Sequence, residues 1–113
     1  MIILADVKTL LDSLKHPIET GVYKGDAVET YIVLVPMSDT YHLHADNKPN
    51  AEVQDLRISL YTKGNYKKIT NQIVKLLLGS EFTITDRRYI GYETETGYYH
   101  YVVDIEKNYE LED

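Results

Sequence analysis

The run with the most chemical potential in this sequence is His42-Leu43-His44-Ala45-Asp46. On an extended strand, residues two apart share a face, so His42, His44 and Asp46 could converge on one metal ion. Three ligands on a single strand rarely close a tetrahedron unaided, and no other His-rich segment supplies a fourth. The competing description is a solvated polar segment with no ligand. Asp86-Arg87-Arg88 and the pair Asp55 and Arg57 have the residue types of catalytic acids with cationic partners. Cross-strand charge pairing on a solvated sheet face is the commoner use of such residues. Glu93 and Glu95 fall in a turn-like stretch. Lys24-Gly25-Asp26 and Lys63-Gly64-Asn65 each carry a lone glycine, too little to cradle a phosphate, and no nucleophile elbow, P-loop or dinucleotide fingerprint occurs. Lys67 and Lys68 beside Lys63 make a small basic patch that reads as the outer face of a helix. With no cysteine, zinc–thiolate sites, disulfides and cysteine nucleophiles are excluded. The residues taken alone therefore favour a protein that is not an enzyme and holds no cofactor.

Tyrosine is over-used. There are eleven, against one phenylalanine and no tryptophan. A phenol has a flat apolar face and a polar tip, which suits surfaces that become half-buried on association. Strand propensity alone is the other account of so many tyrosines. Tyr41, His42, His44 and Asp46 in the polar stretch, and Tyr89, Tyr92, Tyr98 and Tyr99 around the last hairpin, are the candidate interface residues. The net charge of −6 makes a free-standing duplex-DNA binder improbable, since that affinity comes mainly from neutralised phosphates.

These residues must be positioned by elements that the periodicity outlines. Ile3, Leu4, Val7, Leu10, Leu11 and Leu14 recur at steps of three and four, one face of an amphipathic helix that Pro17 should stop. A short extended stretch follows from Ile18 to Tyr23. Tyr31 to Val35 is β-rich and apolar on both parities, which predicts an inner strand covered on both faces, at least in an assembly. Pro36 should weaken its ladder. Ser38 to Asn50 is polar and reads as a long loop or an extended hairpin arm. Val53 to Thr62 alternates, with Leu56, Ile58 and Leu60 on one side. Asn65 is a plausible N-cap for a second helix whose apolar face is Tyr66, Ile69, Ile73, Val74, Leu76 and Leu77, and Gly79 sits where a left-handed C-cap belongs. Glu81 to Gly91 and Tyr98 to Glu106 read as strands joined by a hairpin, and Glu110 to Asp113 as a frayed end.

The 113 residues amount to a single domain, residues 1–113, of α+β class. The expected architecture is a mainly antiparallel four- to five-stranded sheet with two amphipathic helices on one face, in the order α-β-β-β-α-β-β. A compact fold of this mass would expose about 6,400 Å². No apolar run is long enough to span a bilayer, and the first residues do not read as a secretory signal, so a cytoplasmic site of synthesis and no membrane partner are expected.

Several phrases together resemble a known family. They are Glu19-Thr20-Gly21-Val22-Tyr23-Lys24-Gly25-Asp26 ahead of Thr30-Tyr31-Ile32-Val33-Leu34, then the polar insertion up to Asp46-Asn47-Lys48-Pro49. Val53 to Tyr66 follows, then Phe82 to Glu93, then Gly97-Tyr98-Tyr99-His100-Tyr101. In order and element lengths the chain is similar to the tail-completion, or tail-terminator, proteins of long-tailed bacteriophages and prophages. The resemblance implies a mixed sheet flanked by helices and a homohexameric ring at the head–tail interface of a virion. It also implies assembly in the bacterial cytoplasm, with a tail-tube protein and a head-completion protein as partners. Such a ring caps the tube, ends its polymerisation and lets DNA pass through its lumen, without catalysis. An acidic lumen would let DNA slide without sticking. Three other readings stand beside it: a head-completion or stopper protein of the same connector, a small metal-dependent enzyme built on His42, His44 and Asp46, and a dimeric ligand-binding module.

Overall fold

The structure, a computed structural model, describes residues 2–43 and 49–110. Helix α1 spans Ile3–Leu11 and continues as a 3-10 turn over Asp12–Leu14. Strand β1 is Ile18–Thr20, β2 Thr30–Leu43 and β3 Pro49–Thr62; helix α2 is Tyr66–Leu78; β4 is Thr83–Glu93 and β5 Tyr98–Glu110. The element order is the expected one. The strands form one five-stranded sheet in the order β1-β2-β3-β5-β4, with β1 parallel to β2 and every other pair antiparallel. The sheet is thus mixed, and only its first, three-residue strand departs from the antiparallel rule.

α1 buries Ile3, Val7 and Leu11, and α2 buries Thr70, Ile73 and Leu77, the faces that their spacing dictates. Both stripes pack on Ile32 and Leu34 of β2, Leu56, Ile58 and Leu60 of β3 and Val103 and Ile105 of β5, with Phe82 closing the end of the core. The helix ends are settled in different ways. Ile2, at the N-cap of α1, provides no side-chain cap; instead the Ile3 N–H donates to Gln54 Oε1 of β3 at 2.7 Å. α1 stops before Pro17 because Lys15 takes the left-handed conformation (φ 62°), its N–H donating to the Asp12 carbonyl at 3.1 Å. Asn65 caps α2 as expected, its Oδ1 accepting from the Lys68 N–H at 3.2 Å. Gly79 departs from expectation: it stays right-handed (φ −78°, ψ −3°), its N–H donating to the Lys75 carbonyl at 3.1 Å.

In its described residues the polar stretch from Ser38 takes the second expected form, an extended hairpin arm. β2 runs on to Leu43 and β3 begins at Pro49, paired across Ser38↔Asp55, Asp39↔Gln54 and Thr40↔Val53. The register shifts between Pro36 and Ser38, so Pro36 marks a bulge rather than an end. β5 likewise extends past Glu106 to Glu110, where Tyr109, opposite Glu52, is buried in the core. These long strands draw the molecule out to 54 × 24 × 24 Å. Its radius of gyration of 15.5 Å exceeds the roughly 13 Å of a compact chain of this length.

A parallel pair needs a connection that returns the length of a strand. Residues 21–29 make that return across the sheet face away from the helices. Gly21, with φ 79°, turns the chain, and its N–H donates to the Leu34 carbonyl at 3.0 Å. Tyr23 then stacks on Tyr31, and the Val28 carbonyl accepts from the Tyr98 hydroxyl. This segment gives the inner strand part of the second cover that its apolar parities call for. Val33 and Val102 are buried on that face although no helix lies over them.

Candidate functional site

The helix-free face is organised by cross-strand neighbours. Tyr31 of β2 lies opposite Tyr61 of β3, and Tyr61 opposite His100 of β5. With Tyr23 they stack as a continuous row: centroids are 4.2 Å apart for Tyr23–Tyr31, 4.7 Å for Tyr31–Tyr61 and 4.2 Å for Tyr61–His100. Tyr98 meets Tyr31 edge-on at 5.2 Å, and the Lys63 ammonium lies 5.0 Å above the Tyr98 ring. Burial is the main force that raises the Tyr31 pKa, to about 12, with the Tyr61, Tyr98 and Glu93 charges adding to it. Burial lowers the His100 pKa, opposed by Glu93 and reinforced by Arg57, and His100 Nε2 is buried without a hydrogen-bond partner. Further along this face Arg57 grips Asp104 with two bonds, Nε–Oδ1 at 2.8 Å and a second terminal nitrogen to Oδ2 at 3.0 Å. Asp55 accepts from the Ser38 hydroxyl at 2.8 Å, and Arg88 lies 3.7 Å from Asp86. Arg57 and Arg88 thus find acids within the sheet, whereas Asp55 has a hydroxyl partner and its Oδ1 is buried without one.

A second cluster occupies the helix side at the β4 edge. Tyr66 of α2 stands against Tyr89, Tyr99 and Tyr101 at 5.3–5.9 Å, and Tyr92 packs on Tyr99 at 4.7 Å. Between α2 and β4 runs an open groove of about 590 Å³ in which Tyr66, Lys67, Arg87, Arg88, Tyr89 and Tyr101 are wall residues. β4 is an edge strand, with no partner beyond it among the described residues. Along it Tyr89, Ile90 and Tyr92 are 46–48% exposed, a large apolar display for a strand with an open side.

The candidate interface residues separate accordingly. Tyr89 and Tyr92 lie on the open edge, and Tyr99 stands half-buried between Tyr66 and Tyr92. Tyr98 turns inward: it is buried in its own protomer, its hydroxyl bonded to Val28, because its parity puts it under the returning segment 21–29. Tyr41 and His42 lie on β2 in the arm, opposite Glu52 and Ala51. His44 and Asp46 lie outside the described residues, so the proposed ligand set is not assembled among them. Among the described residues no group of three His, Cys, Asp or Glu could hold a metal ion. Tyr23, Tyr66 and the α2–β4 groove are absent from the candidates that spacing singles out. Their only signal in the sequence is the high tyrosine count, because their neighbours come from strands distant in the chain.

No family model matches the sequence, and no curated protein matches it. Among solved structures, the fold is similar to that of a chain in "Virion of native gene transfer agent (GTA) particle". The two superpose with a TM-score of 0.55 at 14% identity, over 90% of this chain and 84% of that one. At that identity the likeness is one of fold.

Proposed function

We propose that this chain is a structural protein of a phage-like virion, and within it a tail terminator: a ring that caps the tail tube, ends its growth and joins tail to head. The observation that carries the reading is the pairing of an open, tyrosine-rich sheet edge with a hairpin arm that prolongs two 14-residue strands, on a fold shared with a virion chain. A ring protomer must offer two different surfaces that close on copies of itself, and a third that meets the tube. The β4 edge is one such surface, and the arm, reaching along the 54 Å axis, is suited to the tube or a neighbour. In this reading the protein holds no cofactor and catalyses nothing. DNA only passes through the lumen, and the partners are copies of the chain, a tail-tube protein and a head-completion protein.

The test is removal of the gene from its phage or particle. Tails of uncontrolled length with heads unattached are the expected outcome. Tails of normal length that fail to join heads would assign the chain to the stopper side of the connector, and normal, joined tails would reject both.

A further inference from the structure

The α2–β4 groove differs in charge from the segment around β1, although β4 itself also carries Asp86 and Glu93. At the β4 edge, the α2–β4 groove has Lys67, Arg87 and Arg88 in its wall and no carboxylate. Of these three, only Arg88 has an ion-pair partner among the described residues, Asp86 at 3.7 Å. The aromatic floor is Tyr66, Tyr89 and Tyr101. Tyrosine and arginine are the residue types enriched where association energy concentrates. The chain as a whole carries −6, so a cationic groove free of acids runs against its average.

The opposite edge is β1, and the segment that follows it turns from that edge onto the helix-free face. Between Ile18 and Glu29 the acids are Glu19, Asp26 and Glu29, and Lys24 is the single base. The Tyr23 hydroxyl donates to the Asp26 carbonyl at 2.6 Å, and Glu19 lies on β1 opposite Val33; behind burial, the charges of Asp26 and Glu19 push the Tyr23 pKa up. Val22 stands 56% exposed beside them. A two-fold dimer that set groove against groove or rim against rim would set like charge against like. A head-to-tail contact sets unlike charges together and leaves both edges used, which is the condition for a closed ring.

We propose that the α2–β4 groove of one copy receives the β1 rim of the next, with Glu19 and Asp26 facing Lys67 and Arg87 and Val22 entering among the tyrosines. The inference rests on the ring reading above and specifies which surfaces close it. Asp26, Lys67 and Arg87 are exposed, Glu19 is half-buried and none of the four belongs to the core, and circular dichroism with urea unfolding verifies the fold of each variant. The groove variant is Lys67→Glu with Arg87→Glu; the rim variant is Glu19→Lys with Asp26→Lys. Self-association of the full chain is measured by sedimentation, alone and on tail tubes from a deletion lysate. Each variant by itself should associate at least about tenfold more weakly than wild type, and an equimolar mixture should recover it, because every interface in an alternating ring is then oppositely charged. Wild-type rings that either variant still forms unaided, or a mixture that fails to recover, would overturn this interface and leave the ring reading standing. A wild-type chain that stays single both in solution and on tubes would overturn the ring reading and this interface together.

Discussion

His100 ends the aromatic row where the facing residue of β4, Gly91, has no side chain to extend it. Its ring is held between Tyr61 and the sheet with Nε2 buried and unpartnered, so protonation must place a charge where water cannot reach it. A base whose folded pKa is depressed binds its proton more readily when unfolded. Its contribution to stability is therefore complete above the unfolded value of about 6.5 and is lost as pH falls from there through the lowered folded value. The urea midpoint of wild type should fall over that window relative to His100→Phe, which keeps the stack and cannot titrate; equal pH dependence in the two proteins would contradict this. Tyr31 works in the opposite sense: with its pKa raised to about 12, it favours the fold below about pH 10, and that contribution fades as pH climbs towards 12. In the core, Ile58 is fully buried among residues from both helices and three strands, and Ile58→Ala should cost about 2–5 kcal/mol by urea denaturation.

At the scale of elements, the ends of strands and helices hold the informative positions. The β4–β5 turn depends on Gly97, at φ 80°, whose N–H donates to the Glu93 carbonyl at 2.7 Å. Gly97→Ala forces a side chain into the left-handed region and should cost about 1–2 kcal/mol in urea denaturation. It should also loosen the tyrosine edge, since the turn fixes the Tyr92↔Tyr99 register. The two helix caps make a contrasting pair. Asn65 is a local cap, so Asn65→Ala should cost about 1 kcal/mol and Asn65→Asp almost nothing. Gln54 caps α1 from a residue 51 positions away, so Gln54→Ala removes a contact between layers as well as a cap. Its loss should speed amide exchange at the start of α1 before that of α2, whereas uniform loosening of both helices would refute a local role.

The whole molecule is not a sphere. It exposes 7209 Å², more than the roughly 6,400 Å² of a compact protein of its mass. An isolated protomer of this shape would gain stability by covering part of that surface, and the proposed ring on a tube would do so. Replacing residues 42–51 with Asn-Gly, a two-residue turn suited to antiparallel strands, should leave the urea midpoint nearly unchanged, because the core lies on the other side of that cut. On the terminator reading the shortened protein should fail to restore tail length to a deletion phage. A chain that restores it without the arm would relieve the arm of that role.

The number, type and order of the elements were fixed by local chemistry: three-and-four spacing for the helices, alternation for β3 and β5, Asn65 ahead of an apolar stripe. Such signals concern neighbours a few residues apart, and they survive in any tertiary context. The strand order, the parallel β1, the return of residues 21–29 over the far face and the Arg57–Asp104 pair all join residues far apart in the chain. Gly79 shows the same limit on a small scale: its place at the end of α2 is legible locally, and its right-handed conformation is not. Local spacing cannot encode register between distant strands. The aromatic row and the tyrosine groove, which exist only through that register, were therefore decided by the packed sheet.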